Sequence, residues 1–518
     1  MRIAPFIGAG VAVLGLLSSA ASANVVRSNP SVGNAKPLRA TQSSPSAARR
    51  KRLATPTTSC TGGASGPGAF DSTSQFATNK SATFVFGGSN LAAAGYAGVF
   101  EGSGSTVCDY NSVIAGGNNN VIDSGMGNTP SGASYSFIGA GTVNTVSSPF
   151  STIVAGSTSS VSGAESFIGA GYANTASGYR AFIGSGEANI VGGETGFIGA
   201  GSGNVESGDS AAIVGGYLNS VSSTNSFAGA GFGSEITGPG SFIGAGGTSA
   251  EKTPGNNISG TDSFIGAGDL NTIAAPESFV GSGGSNTISA SASSASIVGG
   301  SRNLVSAEYA SILGGFGNAA TGSYAIVAGG DQDTAAGILS FAAGYHADAA
   351  HNGSFVWSDY SSGSATIKDT AVDQFVARAS GGVYLYSNEG ATTGVKLGPG
   401  SGTWASLSDR NAKTDISPLD DASVLAKVSA LPVTIWRYKT ERGVRHVGPM
   451  AQDFYAAFGV GEDDRHITSI DEDGVALAAI KAQSHQIGDL RSANELLKAR
   501  LDALEREVAH LRSSVTQK

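Results

Sequence analysis

A fifteen-residue phrase repeats through the centre of this 518-residue chain. It reads SFIGAG at Ser136, STIVAG at Ser151, SFIGAG at Ser166 and AFIGSG at Ala181. Its apolar anchors are Ile138, Ile153, Ile168, Ile183, Ile198, Ile213, Ala228 and Ile243, each 15 residues after the last. The series resumes, with one long insertion and small slips, at Ile265, Val280, Ile297, Ile312, Ile326 and Phe341, and a looser copy sits earlier, at Ile114. Six residues after many anchors stands Asn: Asn120, Asn144, Asn174, Asn189, Asn204, Asn219, Asn271, Asn286, Asn303 and Asn318. One such turn is too small to hold a core. A fixed short period with a turn residue in a fixed column therefore predicts a solenoid, in which neighbouring turns bury each other. Asn suits that column because it tolerates left-handed backbone and bonds its own turn. Stacked Asn side chains can also bond from rung to rung. Each rung is expected to carry two short strands and rise about 4.8 Å, so some fifteen rungs would extend roughly 70 Å.

Composition agrees and excludes several classes. Gly makes up 77 of the 518 residues, about twice average usage, yet no strict Gly-X-Y period appears, which excludes collagen. Hydrophobic residues at 40% are too many for a chain that cannot form a core. No apolar run reaches the roughly 18–20 residues of a membrane helix, so no transmembrane segment is expected in the mature chain. A net charge of −9 gives no electrostatic case for nucleic acid. Charge is also unevenly spread. From residue 85 to 346 the only basic side chains are Arg180, Lys252 and Arg302, whereas residues 408–518 hold 15 Lys+Arg and 17 Asp+Glu.

Residues 1–23 read as an export signal: Arg2, an apolar stretch, then the small residues Ala21-Ser22-Ala23. A secreted or cell-surface location follows. Residues 24–80, rich in Ser, Thr, Ala and Pro, read as a linker, with a solvated basic patch at Arg49-Arg50-Lys51-Arg52. Cys60 and Cys108 are the only cysteines. A disulfide between them and two free thiols are both open.

The SxIGAGxxNxxxSG phrase resembles the head repeats of trimeric autotransporter adhesins. The resemblance covers roughly residues 85–346, within an expected β-roll domain at 81–347, and implies a left-handed parallel β-roll packed as a trimer, so the fold class expected is mainly β. The near absence of charge fits a surface buried between chains. Those adhesins end in a membrane β-barrel anchor, and no such C-terminus is legible here. Residues 348–407 alternate apolar and polar side chains and read as a β connector, with Trp357 and Phe375 as packing residues.

From Ser408 the text changes to SDRNAKTDISPLDDASVLAKVSALPVTIWRYK, then RHVGPMAQDFYAAFG, then ITSIDEDGVALAAIKAQ. These blocks resemble the intramolecular chaperone of phage tailspikes and endosialidases, the S74 peptidase family. The resemblance implies a small α+β chaperone domain over residues 408–480 that drives trimerisation and then cuts itself off with a Ser–Lys dyad. The family motif S-D-x-x-x-K falls on Ser408, Asp409 and Lys413. A Ser hydroxyl needs a base near neutral pH, and a Lys becomes one only when burial or a neighbouring cation favours the neutral amine. Desolvation at a trimer interface would supply this. Attack by Ser408 on the Leu407 carbonyl passes through a five-membered ring and favours cleavage at Leu407–Ser408; cleavage at Ser408–Asp409 stays open. His446, in the family's HIGxxAQ block (here HVGPMAQ), and Gln452 are carried as auxiliary residues, with a structural role for His446 equally open. Pro449 departs from the apolar residue usual in that block.

Residues 481–518 read as a trimeric coiled coil, on Ile487, Leu490, Asn494, Leu497, Leu501, Leu504, Val508 and Leu511 at alternating intervals of three and four. Asn494, at an a position, is the expected register residue. The function expected is an exported homotrimeric fibre or adhesin-like protein, matured by one autoproteolytic turnover, with a host-surface or glycan ligand open to it. The alternative is a phage-type tail fibre or tailspike acting on polysaccharide, which needs a pair of acids about 5–9.5 Å apart in a groove. Glu187, Glu194, Glu206 and Asp209 form no evident pair. No metal, phosphate-loop or cofactor motif is present, so no cofactor is expected.

Overall fold

The computed structural model describes residues 64–65, 70–71, 83–125, 134–247, 255–361, 363 and 365–516. The expected export signal, the basic patch and Cys60 lie outside them. The chain divides into two compact units, Met1–Gly315 and Phe316–Lys518.

The first unit is a parallel β-solenoid. From Leu91 onward each turn contributes two strands of two residues, each paired in parallel with its counterpart one turn on, while Ala64–Ser65 and Phe70–Asp71 pair antiparallel with Leu91–Ala92 and Thr83–Val85. Phe167 and Ile168 align with Phe182 and Ile183, while Thr175 and Ala176 align with Ile190 and Val191. Two columns fill the interior. One holds Ile138, Ile153, Ile168, Ile183 and Ile198, and the other Val146, Val161, Ala176 and Val191, all fully buried. Burying an aliphatic side chain of this size contributes about 1.5–3 kcal/mol, so each turn adds a similar increment.

The Asn column supplies the polar counterpart. Asn189 N–H donates to Asn174 Oδ1 at 3.0 Å, and Asn189 Nδ2 donates to the Ser185 and Gly201 carbonyls at 3.3 and 2.9 Å. The pattern recurs at Asn204 and Asn219. Rung-to-rung bonding is thus present. The left-handed backbone falls elsewhere, on the residue before the Asn: Ala173, Ala188 and Leu218, with φ of 56°, 54° and 57°. The Asn is selected for its buried bonds, not for its backbone. Gly171, at φ 117°, is required in the tight turn, because a Cβ there would overlap the Gly186 carbonyl. Cys108 is buried and disulfide-bonded.

The second unit also holds parallel ladders, with longer strands, Ile326–Asp331, Phe341–Tyr345, Phe355–Ser358 and Phe375–Arg378. Altogether the solenoid has about 17 turns. The anchors here are Val327, Ala342 and Val356, each fully buried, whereas Ile326 is 41% exposed. The anchors expected at Ile326 and Phe341 therefore sit one residue early. Both residues of each pair are apolar, so only the strict 15-residue step from Ile312 marks the inward one. Phe355 stacks on Phe375 at 4.9 Å.

Three antiparallel strands follow, Val383–Tyr386, Gly394–Leu397 and Trp404–Ser406. Then come helix α1 (Asp421–Ala430), a hairpin of Thr434–Trp436 with His446–Gly448, helix α2 (Ala451–Phe458) and helix α3 (Ser469–Thr516). Asp420 caps α1 by accepting from the Ala422 and Ser423 N–H groups. Gly459, at φ 65°, ends α2 in the left-handed region. Val424 of α1 and Ala478 and Ala479 of α3 form a small core, with Leu425, Val428, Phe458 and Val475 against it. No helix among the described residues is long and apolar enough to cross a membrane.

Candidate functional site

The strand Trp404–Ser406 delivers the chain to Ser408. Its pairing with Gly394–Leu397 runs out at Leu407, whose N–H donates to the Gly394 carbonyl at 3.3 Å. Beyond it, one turn of 3₁₀ helix spans Arg410–Ala412. Asp409 caps that turn: its Oδ1 accepts from Asn411 N–H at 2.9 Å and from Asn411 Nδ2 at 3.2 Å. The turn closes with Lys413 N–H donating to the Arg410 carbonyl at 3.2 Å. This reversal folds Lys413 back onto Ser408, and its Nζ donates to Ser408 Oγ at 2.7 Å. Both side chains are exposed in the single chain. Ser408 borders a cleft of about 760 Å³ lined also by Tyr384, Tyr386, Gly394, Leu407 and Asn411.

Ser408, Asp409 and Lys413 thus come together with no help from elsewhere in the fold. His446 does not join them. It lies on the hairpin, where its Nε2 pairs with Glu441 Oε2 at 2.7 Å and its ring packs against Trp436 and Tyr438 at 4.8 and 5.7 Å. Gln452 is exposed on α2. Among the described residues no hydrogen bond links either to the Ser408–Lys413 pair. Sequence reasoning missed Asn411, although an Asn two residues after an Asp is an ordinary turn signal. Glu441 was not legible, because only the hairpin brings it across to His446. Asn494 is exposed on α3, along with Leu490, Leu497, Leu501 and Leu504, each 56–64% exposed.

Residues 408–460 match the Peptidase_S74 family model, the chaperone of endosialidase. The chain carries an S74 chaperone domain after a long β-solenoid. No curated protein matches the chain. The match begins at Ser408 itself and takes in α1, the hairpin and α2. Helix α3 follows the S74 match.

Proposed function

We propose that this chain is an exported, homotrimeric fibre or adhesin-like protein whose S74 domain drives assembly and then releases itself by one self-cleavage. The observation that carries the reading is the 2.7 Å contact of Lys413 Nζ with Ser408 Oγ at the first residues of the S74 match. The apolar residues left bare on this domain support assembly: Ile435, Val447, Leu477 and Ile480 are 61–71% exposed. Surfaces of that kind mark interfaces.

Cleavage proceeds as follows. Assembly strips water from the dyad and favours the neutral amine. Lys413 Nζ takes the Ser408 hydroxyl proton as Oγ attacks the Leu407 carbonyl carbon. The Leu407–Ser408 C–N bond breaks, and the departing nitrogen takes the proton from Lys413. The resulting ester joins Leu407 to Ser408 Oγ. Water hydrolyses it, leaving the Leu407 carboxylate and a free Ser408 amine. Asp409 and Asn411 hold the turn that aims Lys413.

Intact mass with native sizing tests this. Wild type is expected as two fragments divided at Leu407–Ser408 and eluting as a trimer, with Ser408→Ala and Lys413→Ala uncut. An uncut wild-type trimer would sink the protease and leave the assembly role standing.

A further inference from the structure

One face of the first unit has a composition that a solvated surface does not need. In the segments of six that open at Ser136, Ser151 and so on to Ala310, no Asp, Glu, Lys or Arg occurs. The charged residues of these turns stand at other positions, as Glu165, Arg180, Glu194 and Asp209 do. The second residue of each segment points outward, and in eight turns it is Phe. Consecutive rings stack: Phe167 on Phe182 at 5.1 Å, Phe182 on Phe197 at 5.2 Å, and Phe242 on Phe264 at 5.0 Å. Phe137, Phe182, Phe197, Phe264 and Phe279 are nevertheless 36–40% exposed.

The fourth residue of each segment also faces outward, and it compensates for the second. Every Phe is followed two residues on by Gly, as in Phe182 and Gly184, with the ring lying over the glycine. Where the second residue is small, at Thr152, Ala212, Ser296 and Ser311, the fourth is Val154, Val214, Val298 and Leu313. Those four are 45–52% exposed. Each of these twelve turns, from Ser136 to Gly315, therefore presents one large apolar group on this face, whereas the turn at Thr83 carries two, Phe84 and Phe86. Such volume-conserving exchange fits a packed surface, and the Phe ring itself fills the space over the glycine.

We infer that this charge-free face is where copies of the chain pack against one another along the solenoid. The inference rests on the homotrimer proposed above and names the face it uses. Five Phe rings exposed to this degree leave on the order of 400 Å² of aromatic surface. The aliphatic groups bring the strip beyond the largest patch a typical monomer shows and toward the roughly 800 Å² per partner of a standard interface. A partner that matches a strip repeating every turn over this length must carry the same repeat, and a second copy does.

Cysteine cross-linking decides it. Phe197→Cys sits on this face, and Ser207→Cys sits on the outward side of the second ladder, where Ser207 is exposed. Each full-length variant is sized and treated with a short bis-maleimide. A trimer that cross-links with Phe197→Cys at least tenfold more than with Ser207→Cys supports the inference. A trimer that cross-links equally at both, only with Ser207→Cys, or at neither overturns it and leaves the trimer standing. A monomer on the sizing column overturns the assembly reading and the face with it. As a check independent of cysteine chemistry, Phe182→Asp combined with Phe197→Asp should abolish the trimer while the β-sheet circular dichroism persists. A persistent trimer also overturns the inference.

Discussion

Glu206 occupies a column that neighbouring turns fill with Ala176, Val191, Val221 and Ile236, and it is fully buried there. The backbone N–H groups of Gly193 and Gly208 lie close, yet neither carboxyl oxygen has a partner of hydrogen-bond geometry. Gly196 makes the room, since a Cβ there would strike the Glu206 carboxyl. Other turns carry Ser or Ala at that place, as at Ser166, Ala181 and Ala211. Burial, aided by Asp209 nearby, pushes the carboxyl up to about 7. The folded state thus holds a proton that the unfolded chain releases from about pH 4.5. This contribution is full below pH 4.5 and is lost as pH rises through 7. The expected loss is about 3 kcal/mol. Urea unfolding from pH 4.5 to 8 should show it, and Glu206→Val should reduce the slope to the part that Asp333, raised by burial to about 6, contributes, and should stabilise the protein at neutral pH. A wild-type profile already flat would defeat the assignment. Burial also takes Glu206 out of any surface acid pair of the kind the polysaccharide reading needs.

Among the elements, the Asn ladder and α3 make opposite demands on polar groups. Asn204 Oδ1 accepts from the N–H and Nδ2 of Asn219, both at 3.1 Å. Asn219 Nδ2 keeps the Gly215 and Gly231 carbonyls, so truncation by Asn204→Ala strands the buried Asn219 N–H and takes a donor from the Ala200 and Gly216 carbonyls; it is expected to cost about 1–3 kcal/mol. Chemical denaturation of the assembled protein measures it. Asn494 on α3 works in the other sense: Asn494→Val should raise the melting temperature and broaden the distribution of oligomers, read by native mass spectrometry. The ladder was legible in the sequence because burial imposes a strict period on it. The inward choice between Ile326 and Val327 was missed, because both residues are apolar and only the strict 15-residue step from Ile312 distinguishes them. The Ser408–Lys413 contact was legible because five residues of local chain build it. Glu441 was hidden because its partner lies across a hairpin.

At the scale of the whole molecule, the two parts differ in what they can achieve alone. The solenoid satisfies its backbone turn by turn, while the C-terminal domain leaves a long apolar stripe bare on α3. A chain ending before Ser408 is therefore expected to remain unassembled, while Ser408→Ala remains trimeric and uncut; sizing of the two side by side checks both. Equal trimer yields would remove the chaperone role.

The sameness of the turns has a consequence for fidelity. In the proposed trimer, copies sliding past one another by a single rung, about 4.8 Å, would meet nearly identical neighbours, so local contacts hold little information about absolute alignment. That information must come from the places where the pattern is broken. Such places are the buried Glu206, the interruption after Gly247 and the 17-residue step from Val280 to Ile297. It must also come from an end that fixes a common zero. Among 15-residue repeats, the irregular turns work as graduation marks on an otherwise blank ruler.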